Sequence, residues 1–355
     1  MDRTDRLLDR AGLASREGIL IHKPSNMFYL SGYTGEGLLI AAPGLKAIVT
    51  DSRYTEQAQR QSPGFEILTI ETGVSHFTLA ARLCARQGIH SLRYEDDHVT
   101  VKGYASMQAA MSGIIFTSLE NLPEQMRVVK DGTELALMQK ACDISCKAFD
   151  YILGFIKPGQ TEKQIELALN FKMFELGAET LAFNTIVAAG PNGSLPHAIP
   201  GERKVESGDM ITLDFGAKYQ GYCADMTRTV AVGKPKDEMR RIYEIVLRAQ
   251  TTSQDALAPG KNCVDIDRIA RDIIAGEGYG QFFGHGLGHS LGIDVHEDPR
   301  LSPVSQAKLE TNLVITVEPG IYVPGLGGVR IENSCVITDT AARSLVSAPR
   351  ELIIL

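Results

Sequence analysis

Two pairs of acidic residues, each spread across a stretch that reads as a β-hairpin, are the strongest chemical signal in the sequence. Asp214 lies in Ile211-Thr212-Leu213-Asp214-Phe215-Gly216, and Asp225 in Tyr222-Cys223-Ala224-Asp225-Met226-Thr227. Both flanks read as strands, with residues 218–221 as the turn. If that hairpin is symmetric about the Tyr219–Gln220 bond, the two aspartates stand opposite each other with Cβ atoms about 5 Å apart. Like charges at that distance repel, and aspartate is a poor strand residue. A sequence keeps such a pair when something positive lies between its members. The plainer reading is two aspartates on a solvent face, with Leu213 and Phe215 facing the core; a bulge would also change the register. A second stretch repeats the pattern. Residues 314–317 lead into Glu318-Pro319-Gly320, Val329-Arg330-Ile331 leads into Glu332, and a Pro/Gly-rich turn centred on Gly325 joins them. Glu318 and Glu332 are equidistant from Gly325, so this hairpin also opposes two carboxylates.

Three of the eight histidines fall in His285-Gly286-Leu287-Gly288-His289-Ser290-Leu291-Gly292-Ile293-Asp294-Val295-His296. His285 and His289 have the spacing of a helical zinc pair. Gly284, Gly286, Gly288 and Gly292 argue against a helix, each costing about 1 kcal/mol relative to alanine. An extended or irregular segment with its backbone close to a ligand fits better. The block also holds a loose Gly-x-Gly pattern, but without the strand, helix and spacing of a dinucleotide site. A lone histidine is more often a satisfied core residue than a ligand. Three beside four paired carboxylates reverse that expectation.

Asp214, Asp225, Glu318, Glu332 and one histidine make a carboxylate-rich site with a single nitrogen ligand. Four carboxylates overcharge one ion but nearly balance two divalent ions. Oxygen-dominated ligands suit Mn(II) first, with Co(II), Fe(II) and Zn(II) also compatible. Two such ions about 3.5–4 Å apart hold a bridging hydroxide and polarise a carbonyl, which is hydrolytic chemistry.

These side chains need rigid elements, and the second half of the chain carries a faint internal repeat that could supply them. Lys157-Pro158-Gly159 and Ala258-Pro259-Gly260 lie 101 positions apart, as do Ile165 and Ile266, and Gly177 and Gly278. Each copy closes one helix, opens another and is followed by a hairpin. Such a repeat predicts a pseudo-symmetric domain with its ligand site at the seam. Upstream, residues 18–21, 38–41, 47–50, 66–70 and 91–94 read as strands and 53–61 and 75–87 as helices, an α/β domain. It shows no phosphate loop and no cluster of chemistry-bearing residues. Asn121-Leu122-Pro123 reads as a boundary, and a long helix runs from a cap at Asp131 or Thr133 to about residue 153.

The net charge of −7 excludes a basic nucleic-acid or anionic-membrane surface. The charged start and the lack of a long apolar run predict no secretory leader and no membrane span. Six scattered cysteines without a CxxC pair read as reduced thiols in a cytoplasmic protein. Cys142 and Cys146, at helical spacing, fit core positions better than a metal edge.

The motifs together resemble the creatinase, prolidase and aminopeptidase P family of metallopeptidases, over residues 181–197, 208–229, 284–297 and 317–333. The resemblance implies an α+β chain: a pita-bread catalytic domain with a pseudo-two-fold repeat over residues 123–355, preceded by a smaller α/β creatinase-like domain over 1–122. It implies Asp214 on one ion, Asp225 and Glu332 bridging both, and His289 and Glu318 completing the second. Glu318 would also shuttle a proton. His197 resembles the histidine near the substrate's proline, His285 and His296 those that bind substrate and stabilise the tetrahedral intermediate, and Arg330 the arginine that orders this shell. All five ligand positions are filled, which counts against creatinase itself and against the family's non-catalytic binding members.

The function so implied is a dinuclear-metal exopeptidase that hydrolyses the bond before a proline at peptide N-termini by attack of a metal-bridging hydroxide; the alternative is an Xaa-Pro dipeptidase. Proline specificity comes from the resemblance alone, as do a proline-containing peptide as substrate and a homodimer with the N-terminal domain near the partner's site. Residues 29–38 resemble the short, glycine-rich aminopeptidase P form of a loop that is longer and charged in prolidases, with Glu36 its only charge. Residues 50–54 also resemble that form. Such a loop leaves room beyond the proline and offers no cation to clamp a free carboxylate.

Overall fold

The computed structural model describes residues 2–355. The chain divides into two compact units, between Arg127 and Val128.

The first unit is built on a six-stranded mixed sheet. Its strand order is Glu66–Thr69, Leu45–Thr50, Leu38–Ala42, Glu17–Ile21, Ser91–Tyr94, Ile115–Ser118. Leu20, Leu38, Ile40, Val49 and Leu92 bury their side chains together with Ala80, Leu83 and Cys84 of the His76–Gln87 helix. Ser75 caps that helix, its side chain accepting from the Thr78 N–H. The charged start of the chain folds as the helix Arg3–Ala11, with Thr4, Leu7 and Ala11 on its buried face. Residues 122–127, where a boundary was expected, form the short helix Leu122–Arg127, which takes Pro123 into its first turn.

The expected loop at residues 29–38 is only partly a loop. It begins as the end of the Pro24–Ser31 helix and closes over buried Tyr33, whose hydroxyl donates to the Glu36 carbonyl at 3.0 Å. Its one charge, Glu36, is paired with Arg53, which also holds Asp51.

The second unit shows the repeat as architecture. The Gly132–Phe155 helix packs on Glu162–Glu175, and Asp237–Asp255 packs on Cys263–Gly276. Asp131 and Glu134 close a capping box at the start of the first. Each Pro-Gly turn is tied by an equivalent bond, from Gly159 N–H to the Val205 carbonyl and from Gly260 N–H to the Leu309 carbonyl, both 2.8 Å, with Val205 N–H and Leu309 N–H donating back to Gln160 and Lys261. Isolated bridges Thr161–Lys204 and Asn262–Lys308 follow them. The core fills with Ile242, Val246, Ile266, Ile274, Leu287, Leu313, Ile315 and Ile331.

In the first hairpin the strands Met210–Phe215 and Met226–Ala231 pair with Asp214 opposite Thr227, not opposite Asp225. Tyr219 pairs with Tyr222, so the turn is the two residues Gln220 and Gly221, with φ of 45° and 83°. Left-handed backbone at both central positions is the turn that matches strand twist, and it shifts the centre of symmetry by one residue. Asp225 falls in the break between the outer and inner pairs of strands. There Gly216 approaches so closely that a Cβ would run into the Ala224 carbonyl.

In the second hairpin Val317 pairs with Asn333 and Gly320 with Arg330. Both pairings keep the register that the symmetry about Gly325 requires, and between them lie Glu318 and Glu332.

The glycine-rich block is extended, as expected, with a strand at Gly288–Ser290. Gly288 also serves close approach to protein: a Cβ there would meet the Thr316 carbonyl of the adjacent strand.

Candidate functional site

Asp225, His289 and Glu332 are buried, and each offers a ligand atom within 4.8 Å of the others. His289 Nε2 lies 3.6 Å from Asp225 Oδ2 and 3.3 Å from Glu318 Oε1. The other ring nitrogen, Nδ1, donates to the Ser290 carbonyl at 3.0 Å. That bond orients the ring with Nε2 toward the carboxylates. Asp214 closes the group from the first hairpin, its Oδ2 accepting from Arg330 Nη2 at 2.7 Å. All five residues read as a ligand set therefore converge, although the first hairpin does so by diagonal rather than direct opposition. Each hairpin holds the other's carboxylate: Thr227 Oγ1 donates to Glu332 Oε2 at 2.6 Å, and Arg330 reaches back to Asp214.

Charge is crowded here. Burial, then the charge of Glu332, pushes the Asp225 carboxyl well above its usual range. Burial, then the charges of Glu318 and Asp214, does the same to Glu332, and burial raises Asp214. Burial opposes ionisation of Glu318 too, but the hydrogen bond and charge of His289 outweigh it and hold that carboxyl at about 2. Asp214 Oδ1 and Glu332 Oε1 are buried and accept no hydrogen bond. Buried carboxylate oxygens without partners are costly, and several converging on one place are what divalent cations satisfy. The oxygen-rich donor set with one imidazole fits hard or borderline divalent ions.

The remaining expected residues surround a cavity of about 1010 Å³, lined from both repeat halves. His197 lines it beside Pro196 and Ile199. The His296 ring stands edge-on to His289, with centroids 4.5 Å apart. His285 is engaged at both nitrogens, Nδ1 with the Gly286 carbonyl at 2.8 Å and Nε2 with the Tyr322 hydroxyl at 3.0 Å. Burial lowers the pKa of both His285 and His296 and favours neutral rings.

Two buried acids on the second helix of each half hold the segments that carry these rings. Glu162 accepts from Ala189 N–H and Gly201 N–H, bracketing His197. Asp267 accepts from Leu287 N–H and Arg271, and Arg271 donates to the His285 carbonyl at 2.9 Å.

Sequence reasoning missed Thr227, Tyr322, Thr316 and Arg300. Tyr322 accepts from Arg330 at 2.7 Å, and Thr316 bridges the His289 N–H and Glu318. The signal for Tyr322 was strand alternation, since it shares a parity with Glu318. Arg300 lines the cavity directly across the strand pair from His289. No sequence pattern separates it from a surface arginine.

Residues 136–339 match the model of metallopeptidase family M24, and residues 3–129 match the creatinase/prolidase N-terminal domain. The chain belongs to metallopeptidase family M24. As an M24 metallopeptidase it is a metal-dependent peptidase with the pita-bread fold, and divalent metal ions are part of its chemistry. It is 43% identical to a Bacillus subtilis (strain 168) protein described as the uncharacterized peptidase YqhT, over 99% of each chain. Among solved structures it is similar to an Xaa-Pro dipeptidase from Bacillus anthracis, with a TM-score of 0.94 and 38% identity over 99% of both chains. It is also similar to an X-Pro aminopeptidase from Thermotoga maritima MSB8, with a TM-score of 0.92 and 35% identity over 100% of both chains. Among the described residues of this M24 peptidase, no helix is long and apolar enough to cross a membrane.

Proposed function

We propose that this M24 peptidase hydrolyses the peptide bond between an N-terminal residue and a following proline. It would use two divalent cations, Mn(II) first, held by Asp214, Asp225, His289, Glu318 and Glu332. The observation that carries the two-ion reading is the pair of buried oxygens without partners, Asp214 Oδ1 and Glu332 Oε1, one from each hairpin. The relatives named for Xaa-Pro peptides support the substrate class.

Cations held there would lower the pKa of water and polarise the scissile carbonyl. The chain's own residues divide the remaining tasks. Asp225 and Glu332, with Asp214, His289 and Glu318, would hold the cations, and Glu318 would also accept and pass on a proton. His296, at the cavity wall beside His289, donates to the oxygen that becomes negative. His285 acts through the Tyr322 hydroxyl, because its own nitrogens are engaged. His197, with Ile199 and Phe183 on the same wall, faces the proline ring. Arg330 ties Asp214 to Tyr322 and keeps both in place.

The test is a comparison of Ala-Pro and Ala-Pro-Ala with Ala-Ala and with creatine, with Mn(II) supplied and metal content measured. Cleavage of the proline peptides alone is the expected result. Less than one bound ion per chain would overturn the two-ion site, and turnover of creatine would move the assignment to a small-amide hydrolase.

Chain-length preference has two readings. The short turn at residues 32–38 supports an aminopeptidase, which cleaves Ala-Pro-Ala at least as efficiently as Ala-Pro. Arg300 at the cavity favours the dipeptidase instead, since a guanidinium there suits a free carboxylate. The ratio of specificity constants for the two peptides decides, and Arg300→Ala raises that ratio if Arg300 is the clamp. The proposal extends to a homodimer in the cytoplasm, to be tested by analytical ultracentrifugation and cell fractionation.

A further inference from the structure

Arg228 lies in the first hairpin, between Thr227 and Thr229, and is 1% exposed. Its five N–H groups are all used. Nε donates to the Pro349 carbonyl at 2.7 Å. Nη1 donates to the carbonyls of Thr227, at 2.8 Å, and Glu332. Nη2 donates to Asn333 Oδ1 and to the Ala348 carbonyl, both at 2.8 Å. Four of these acceptors are main-chain carbonyls and the fifth is an amide oxygen, so none is a carboxylate. A buried cation without a paired anion is expensive, and burial pulls this guanidinium down to about 10. The planar five-donor fork does something a lysine could not: it joins three separate stretches of chain in one plane.

Two of the stretches belong to the site. The Thr227 carbonyl that accepts from Arg228 also accepts from the Glu332 N–H at 3.0 Å, and the Thr227 hydroxyl donates to the Glu332 carboxylate. The third stretch is a strap at residues 348–350. Tyr243 holds it by donating to the Arg350 carbonyl at 2.6 Å, and Arg350 donates to Gln250. Gln250 and Asn333 both donate to Gln254 Oε1, closing a ring back to Arg228. Farther along, Ala231 N–H donates to the Ile353 carbonyl and Gly233 N–H to that of Leu355.

We propose that Arg228 is a positioning residue for Glu332, and that the strap at 348–350 supports the metal-binding site through it. The proposal rests on the reading of Glu332 as a metal ligand. The guanidinium fixes the backbone of Thr227 and Glu332 relative to each other, and the strap supplies the acceptors that keep the guanidinium in that plane.

The test compares the full chain with Arg228→Lys and with chains ending after Ser347 or after Arg350. Mn(II) affinity is measured by calorimetry at a temperature where circular dichroism shows each protein folded, and kcat and KM are read at saturating Mn(II). The chain ending after Arg350 keeps the strap and loses the hydrogen bonds to Ala231 and Gly233 and the packing of Leu352 on the core. It is expected to melt earlier but to bind Mn(II) within twofold of the full chain. Arg228→Lys and the chain ending after Ser347 are expected to bind at least tenfold more weakly, with kcat lowered and KM for Ala-Pro within threefold. If both fail to fold, Asn333→Leu, which removes one acceptor, is expected to weaken Mn(II) several-fold. Folded Arg228→Lys with Mn(II) affinity within twofold of the full chain would reduce Arg228 to a stability tie, as would wild-type affinity in Asn333→Leu. A full chain that binds no Mn(II) would overturn the metal reading instead.

Discussion

The two hairpins of the catalytic unit perform the same task with different geometry. The second is broken at residues 318–319 and 331–332 yet keeps one register on both sides, and Glu318 and Glu332 lie opposite each other in that break. The first is broken at residues 216 and 224–225 and also keeps one register, but Asp225 lies two positions along from Thr227, the residue opposite Asp214. Equal spacing from the turn opposes the second pair directly, while an offset of two positions leaves the first pair diagonal. The hairpins are also interlocked, since Thr227 of the first holds Glu332 and Arg330 of the second holds Asp214. The site is one structure made from two halves, and neither half completes its own carboxylates.

Replacing one carboxylate from each hairpin that is proposed to be shared between the ions tests that equivalence most severely. Asp225→Asn and Glu332→Gln are each expected to lose metal affinity and nearly all turnover. If either keeps more than a tenth of wild-type activity with both metals bound, the two carboxylates are not equivalent bridges. A smaller effect is expected outside the ligand set. His296→Ala should lower turnover by roughly a hundredfold or more, the loss typical of one donor to a developing oxyanion, while metal stoichiometry stays at two. Loss of one ion would make His296 a ligand and place a second imidazole on the second-half side.

The interlock itself is probed by Thr227→Val and Arg330→Lys. Each leaves the ligands intact but removes support from the opposite hairpin, which is expected to cost about 10–100-fold in metal affinity or activity. Titrating Mn(II) against both variants measures it, and wild-type affinity in either would show that the hairpins are independent. The smallest effect is structural. Gly216→Ala forces a Cβ into the Ala224 carbonyl at the break and is expected to destabilise by about 1–3 kcal/mol. Ala217→Gly, one residue on, adds no such clash and serves as the control. A Gly216→Ala melting temperature equal to that of the wild type would mean that the break is not tightly packed.

Legibility followed locality. Strands at 38–42, 45–50 and 91–94 were readable because their apolar runs and turn residues are contiguous. The Gly132–Phe155 helix was readable from a cap at Asp131 or Thr133, and the structure decides for Asp131, with Glu134 completing a capping box. The Arg3–Ala11 helix was not, because charge dominates its composition and its buried face rests on only three residues. The register of the first hairpin was misjudged by one position because Gln220 adopts a left-handed backbone, a choice that non-glycine residues make under constraint from the strands around them.

Side-chain chemistry was the part most visible in sequence. Asp214, Asp225, Glu318, Glu332 and the three clustered histidines announce themselves by type, number and spacing, because carboxylates brought together repel unless a cation or a shared proton offsets the charge. Packing decided the rest. Which nitrogen of His289 faces the carboxylates depends on the Ser290 carbonyl, and the one N–H of a neutral His285 is taken by the Gly286 carbonyl, leaving Nε2 to accept from Tyr322. Arg228 has no readable signal at all, since its role comes from carbonyls at positions 227, 332, 348 and 349 that meet only when the chain is folded. A sequence specifies which groups are present, and their hydrogen-bond partners exist only once distant segments have been brought to one place.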